Sequence, residues 1–143
     1  MKIREAMTTP AVRIHPEESV SVAARILERE NIGSLPVCGN DGRLCGLVTD
    51  RDIVTRCLAA GRSASTTSVR EIMTTGIVSA SPDMDVERAA DLMGQRQIRR
   101  LPVTENGRLC GMLSLGDLAR KPQSSLEAGD ALTQISSRLS RRS

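Results

Sequence analysis

Apolar positions along this chain switch between a helical and an extended period. Val20, Ala23, Ala24 and Leu27 fall at helical spacing, and Val86, Ala89, Ala90 and Met93 do the same further on. Ser19 and Asp85 stand just before these runs, as N-cap residues should. After each helix comes an apolar run, Leu35-Pro36-Val37-Cys38 and Leu101-Pro102-Val103, that predicts a strand. The turns Asn40-Asp41-Gly42 and Asn106-Gly107 fold each run back on a partner, Leu44 to Val48 and Leu109 to Leu113. Short leading strands are expected at Val12-Arg13-Ile14 and Ile77-Val78-Ser79-Ala80, halted before Pro16 and Pro82. A second helix opens at Asp50 and runs to about Ala60; its twin from Leu115 is shorter and stops before Pro122. From Ser125 a last stretch carries Leu132, Ile135 and Leu139 on one face and is expected to dock as a helix.

These elements are one unit written twice. Arg4-Glu5-Ala6-Met7-Thr8-Thr9 aligns with Arg70-Glu71-Ile72-Met73-Thr74-Thr75, and at the same offset Pro16 meets Pro82 and Ala23-Ala24 meet Ala89-Ala90. Ile32-Gly33-Ser34-Leu35-Pro36-Val37 then falls on Ile98-Arg99-Arg100-Leu101-Pro102-Val103. One residue is lost in the second turn, and Gly42-Arg43-Leu44-Cys45-Gly46 matches Gly107-Arg108-Leu109-Cys110-Gly111. The expected fold is α/β (α+β): two β-α-β-β-α repeats about a pseudo-two-fold axis, with two three-stranded sheets facing each other and helices outside. Repeat 1 is read as residues 1–60, a Gly/Ser/Thr-rich linker as 61–68, repeat 2 as 69–121, and a C-terminal helix with a basic tail as 122–143. Each repeat is too short to cover both faces of its elements alone.

Composition narrows the function. At 39% hydrophobic and 26% charged residues the chain is globular, yet it contains no Phe, Tyr or Trp. Base-stacking nucleic-acid modules and aromatic cages are therefore excluded. A net charge of +3, partly from Arg138, Arg141 and Arg142, falls short of a DNA-binding stripe. No run is long and apolar enough to span a membrane, and the Met-Lys-Ile-Arg-Glu start is too polar for a signal peptide. Cys38, Cys45, Cys57 and Cys110 form neither a CxxC motif nor a disulfide scaffold, so reduced thiols in a cytoplasmic protein are expected.

The chemistry concentrates where the last strand of each repeat meets its second helix. Gly46-Leu47-Val48-Thr49-Asp50-Arg51-Asp52 and Gly111-Met112-Leu113-Ser114-Leu115-Gly116-Asp117 both read G-h-h-[S/T]-x-x-D. One reading is a capping box, with Thr49 and Ser114 as caps answered by Asp52 and Asp117. The other is a ligand site. A helix start favours phosphate, a hydroxyl there donates to it, and a carboxylate one turn on accepts ribose hydroxyls.

The duplicated Met-Thr unit, the I-x-x-L-P-V strand and this junction together resemble the cystathionine-β-synthase (CBS) domain pair, or Bateman module. The likeness covers about residues 2–120, and the segment GLVTDRDIVTRCLAAG looks like the small stand-alone bacterial type, as does Ala128 to Ser136 at the tail. The resemblance implies a regulatory sensor and not an enzyme, binding adenosine-containing ligands (AMP, ADP, ATP, S-adenosylmethionine or NAD) in clefts between repeats. No other cofactor is implied. Carried over, Asp52 with Thr49, and Asp117 with Ser114, hold ribose and phosphate. Arg99 and Arg100, opening the second strand, meet phosphates; their counterparts are Gly33 and Ser34, so the clefts differ in charge. Thr9, Val12, Thr75 and Ile77 line the base. Dimerisation through the Ala-rich faces of the helices after Ser19 and Asp85 is also implied, with an unidentified downstream protein. Two other classes use the same residues: an interaction module without nucleotide, and a metal site from His15 with Cys38, Cys45 and Cys110. An enzyme reading is weak, because His15 is the single histidine and its counterpart is Ser81.

Overall fold

The structure, a computed structural model, describes residues 1–120 and 125–142, excepting the side chains of 125 and 137–142. The predicted Leu139 and the tail arginines lie outside the described side chains. The chain divides into two compact units, neither continuous in sequence. Unit 1 comprises Met1–Ala11, Val78–Asn106 and Cys110–Ser143; unit 2 comprises Val12–Ile77 and Gly107–Leu109. Elements in chain order are α1 (Val20–Glu30), β1 (Ser34–Cys38), β2 (Leu44–Thr49), α2 (Asp50–Asp52), α3 (Val69–Ile72), α4 (Val86–Arg96), β3 (Arg100–Glu105), β4 (Arg108–Ser114), α5 (Leu115–Ala119) and α6 (Ser125–Arg142).

Both units are α/β, each built on a two-stranded sheet, β1–β2 or β3–β4. The tight turn before β4 puts Asn106 and Gly107 at φ 55° and 79°, the left-handed pair that joins strands with the right twist. α1 and α4 end alike, on Asn31 and Gln97 in the left-handed region, after which Ile32 and Ile98 donate back to Leu27 and Met93. Apolar faces then meet the sheets. In unit 2, Val20, Ala23, Leu27, Leu35, Val37, Val48 and Ile72 form the core; in unit 1, Val86, Ala89, Met93, Leu101, Val103, Leu113 and Leu118 do so.

The expected third strand of each sheet is a single bridge, Ile14 to Val37 and Ala80 to Val103. Ile14 donates to the Pro36 carbonyl and accepts from Cys38, while Ala80 donates to Pro102 and accepts from Thr104. Extending either parallel ladder one step back needs an N–H from Pro36 or Pro102. One step forward needs one from Pro16 or Pro82, and none of these prolines has it. The sheets are consequently not three-stranded.

Their opposite edges are closed by the segment leading into the other repeat. Thr74 and Leu47 exchange both backbone bonds (2.7 and 2.9 Å), and so do Thr8 and Met112 (2.8 and 3.1 Å). Ion pairs fasten these segments in duplicate, Arg70 to Glu17 at 2.6 Å and Arg4 to Asp83 at 2.5 Å. Asp85 occupies its N-cap position without a side-chain cap bond, because it pairs with Lys2 at 3.0 Å instead.

Three further expectations change. The helix from Asp50 is α-helical only to Asp52 and π-helical over Ile53–Leu58, ending with the Ala59 N–H on the Val54 carbonyl. α6 packs against α4 and α5 with Ile135 buried as expected, beside Ala128 and Ala131, while Leu132 is 42% exposed. Its seat is Gly94, where an added Cβ would stand 3.3 Å from the Ala131 Cα, so the two helices approach too closely for a Leu. The Ala-rich faces assigned to dimerisation are largely interior: Ala23, Ala89 and Ala90 belong to the cores of their own units.

Candidate ligand-binding sites

Each junction forms the predicted capping box. The Asp52 N–H donates to Thr49 Oγ1 and the Thr49 N–H to Asp52 Oδ2, both at 3.0 Å. The Asp117 N–H donates to Ser114 Oγ at 3.0 Å and the Ser114 N–H to Asp117 Oδ2 at 2.9 Å. Both aspartates are 6% exposed, which makes a charged group costly unless it is well partnered.

The partner comes from the crossing segment. Thr74 donates its hydroxyl to Asp52 at 3.1 to 3.2 Å, and Thr8 lies 3.4 to 3.5 Å from the Asp117 oxygens. The motif glycine makes room for this crossing. A Cβ on Gly46 would meet the Thr74 carbonyl at 2.5 Å, and one on Gly111 the Thr8 carbonyl at 3.1 Å. The carboxylates touch Thr8 and Thr74, which sequence reasoning did not select; Thr9 and Thr75, expected to line the base, follow each by one residue. The signal was present in the duplicated Met-Thr pair; what the sequence could not show was the phase of a one-residue bridge. Thr9 and Thr75 are exposed, Val12 is exposed and Ile77 half-buried; Thr9 belongs to unit 1, the other three to unit 2.

The two sites differ in their cations. In unit 1, Arg99, Arg100, Ser114, Leu115, Gly116, Ala119, Arg120 and Leu132 line one cavity of about 470 Å³. Strand alternation would send Arg99 and Arg100 to opposite faces, but β3 begins only at Arg100, so both reach the cavity. Arg120, which sequence reasoning did not select, ion-pairs with Asp117 and is 74% exposed on its side chain. In unit 2 the matching residues are Gly33, exposed, and Ser34, half-buried. Asp50 takes the place of Leu115, its carboxylate 3.5 Å from where a Gly33 Cβ would stand. Arg56 approaches Asp52 at 3.7 Å but is held by the Ile72 and Met73 carbonyls (3.1 and 3.2 Å). One site therefore presents three guanidiniums, while at the other Asp50 and exposed Arg51 take the places of Leu115 and Gly116 and Arg56 is tethered.

The thiols do not assemble. Among the described residues no group of three or more His, Cys, Asp or Glu side chains is placed to hold a metal ion. Cys38 and Cys57 are buried, Cys45 is exposed, and burial pushes the Cys38 thiol up despite Arg13. Among the described residues no helix is long and apolar enough to cross a membrane.

The CBS domain family matches residues 3–59 and 69–124, and the chain belongs to it. It is 42% identical over 134 residues to the CBS domain-containing protein YhcV of Bacillus subtilis, covering 94% of each chain. Among solved structures, hypoxic response protein I with two coordinated zinc ions is 33% identical, at TM-score 0.78 over 84% of this chain and 98% of that one. The CBS domain pair of protein MJ0100, in complex with 5'-methylthioadenosine and S-adenosylmethionine, is 29% identical at TM-score 0.74, covering 84% and 94%. CBSX2 in complex with AMP is 26% identical at TM-score 0.73, covering 83% and 93%. The protein is thus a CBS-domain pair, and two of these structural neighbours are solved with adenosine-containing ligands.

Proposed function

We propose that this CBS pair is a regulatory module that binds adenosine-containing nucleotides at two unequal sites, and that the Asp117 site selects for phosphate. The observation that carries the reading is one cavity lined jointly by Arg99, Arg100, Arg120 and Ser114 beside the buried Asp117 carboxylate. Neighbours solved with AMP and with S-adenosylmethionine support an adenosine ligand. With no aromatic side chain in the chain, adenine must rest on aliphatic groups and be read by backbone atoms.

Asp52 and Asp117 receive the ribose hydroxyls in this reading, and Thr49 and Ser114 stand beside the phosphate. Guanidiniums add charge-assisted contacts to phosphate, each worth roughly 1.5–3 kcal/mol when desolvated. At Asp117 the ligand phosphate draws Arg120 outward, which frees a carboxylate oxygen for ribose. At Asp52 no such exchange is available, since Arg56 is anchored on backbone carbonyls and Asp50 repels phosphate. The Asp52 site accordingly suits the less charged adenosine compounds. The module acts without catalysis, as a homodimer that passes ligand occupancy to a downstream protein in the cytoplasm.

Titration calorimetry on the parent chain and on the double variant Arg99→Gly, Arg100→Ser tests the reading. The parent is expected to show one site whose affinity rises from adenosine through AMP to ATP and falls with salt, beside a weaker and less salt-sensitive one. The double variant, carrying the first repeat's own residues, should narrow the gap between ATP and adenosine to what Arg120 alone contributes. Unchanged discrimination between the two would refute the proposal.

A further inference from the structure

Helix α6 lies beyond the family match, which ends at residue 124, yet it supplies Leu132 to the Asp117 cavity. Among its described side chains, Ala128, Ala131 and Ile135 are buried in the contact with α4 and α5. Leu132 is turned off that stripe and stays 42% exposed, an apolar side chain beside three guanidiniums. Burial against the protein does not account for that position. A ligand filling the cavity would account for it, since the ligand would cover Leu132 on one side and meet the arginines on the other.

We infer that α6 is a wall of the nucleotide site and a specificity element of unit 1, so that ligand occupancy and α6 docking are thermodynamically linked. The inference rests on the nucleotide reading above and goes beyond it in naming the element that reports occupancy. A ligand that touches α6 only when the helix is docked stabilises the docked state, and docking tightens the ligand by the same factor. A terminal helix can open without unfolding the rest of its unit, and hydrogen exchange reads that opening. Sequence reasoning placed Leu132 on the docking face, which hid this role.

Hydrogen exchange followed by mass spectrometry over residues 126–136, with and without ATP, tests the link, alongside Leu132→Ala and the control Leu126→Ala, whose Leu is 80% exposed. ATP should slow exchange in α6 of the parent and of Leu126→Ala. In Leu132→Ala the slowing should disappear, with ATP affinity about three- to ten-fold weaker through loss of one partly buried side-chain contact. If ATP binds in an Arg99- and Arg100-dependent way while α6 exchange and the Leu132→Ala affinity stay unchanged, the inference fails and the nucleotide reading stands. If neither ATP nor AMP binds the parent, the nucleotide reading fails. Inorganic tripolyphosphate then decides α6 separately: slowed α6 exchange supports the link to an anion, and unchanged exchange overturns it.

Discussion

Replacing Gly46 by Ala puts a methyl group 2.5 Å from the Thr74 carbonyl oxygen and 3.2 Å from Met73 Sδ. The first contact is with backbone that has no slack, since Thr74 and Leu47 exchange bonds of 2.7 and 2.9 Å. Relief requires the crossing segment to withdraw. Overpacking of this kind costs about 1–3 kcal/mol, and weakening two backbone hydrogen bonds adds roughly 0.5–1.5 kcal/mol each. Gly46→Ala should therefore destabilise the fold by about 2–6 kcal/mol, a large part of the roughly 5–15 kcal/mol typical of a domain. Gly111→Ala differs in what the methyl meets: the mobile Met7 Sδ at 2.8 Å, and the Thr8 carbonyl only at 3.1 Å. A side-chain rotation and a shift of a few tenths of an ångström suffice, so the cost should be about 1–2 kcal/mol. Urea unfolding followed by circular dichroism measures both, since the chain has no Trp or Tyr for fluorescence. A Gly46→Ala variant within 0.5 kcal/mol of the parent (about the scatter of neutral surface changes), or a Gly111→Ala variant as damaged as Gly46→Ala, would refute the crossing-segment argument.

Asp52→Asn and Asp117→Asn each remove a buried carboxylate that accepts from an N-cap N–H and a threonine hydroxyl; a loss of roughly 1.5–3 kcal/mol is expected from unfolding curves. Calorimetry should show a further loss of affinity at the mutated site alone, and unaltered nucleotide affinity would return both residues to a capping role. Glu71 is held below its ordinary value near 4.5 by the Ser68 N–H, then the Ser68 hydroxyl and Arg62. Its contribution to stability is present above that value and lost as pH falls through the folded pKa, so Glu71→Gln should shrink the drop in melting temperature between about pH 5 and pH 3. Iodoacetamide at neutral pH should modify exposed Cys45 first and reach buried Cys38 and Cys57 only after unfolding; peptide mapping that finds Cys38 labelled as fast as Cys45 contradicts the burial.

Most of the frame was legible because the duplication checks every assignment twice. Ser19, the Asn106-Gly107 turn and both capping boxes are local devices, and each formed where its residues predicted. Errors arose where a non-local partner decides. Val12 to Ile14 has the composition of a strand, but whether it extends depends on N–H groups that Pro36 and Pro16 lack, one of them on another element. Leu132 has the hydrophobicity of a core residue, but Gly94 offers α6 a seat only as deep as an alanine. Asp85 has the chemistry of a cap and is taken by Lys2, far away in sequence. Arg120 carried no sequence signal, because its first-repeat counterpart by position, Thr55, is not basic and the repeat comparison passes over it.

The same duplication explains why the sites need the covalent pair. Thr8 lies in the opening segment of the first repeat yet donates to Asp117 of the second, and Thr74 lies in the opening segment of the second yet donates to Asp52 of the first. Gly46 and Gly111 keep these crossings open, and the Arg70–Glu17 and Arg4–Asp83 pairs fasten them at matching positions. A repeat taken with its own leading segment would hold a capping box but leave its aspartate without the threonine hydroxyl. What the two copies hold in common is therefore the closure of each carboxylate: glycine, hydroxyl cap, acid and crossing threonine. What they have let diverge is the charge around it, Arg99 and Arg100 against Gly33 and Ser34, Leu115 against Asp50. Divergence of charge, around a closure whose hydrogen bonds match within a few tenths of an ångström, is what the proposed pair of unequal nucleotide sites would require.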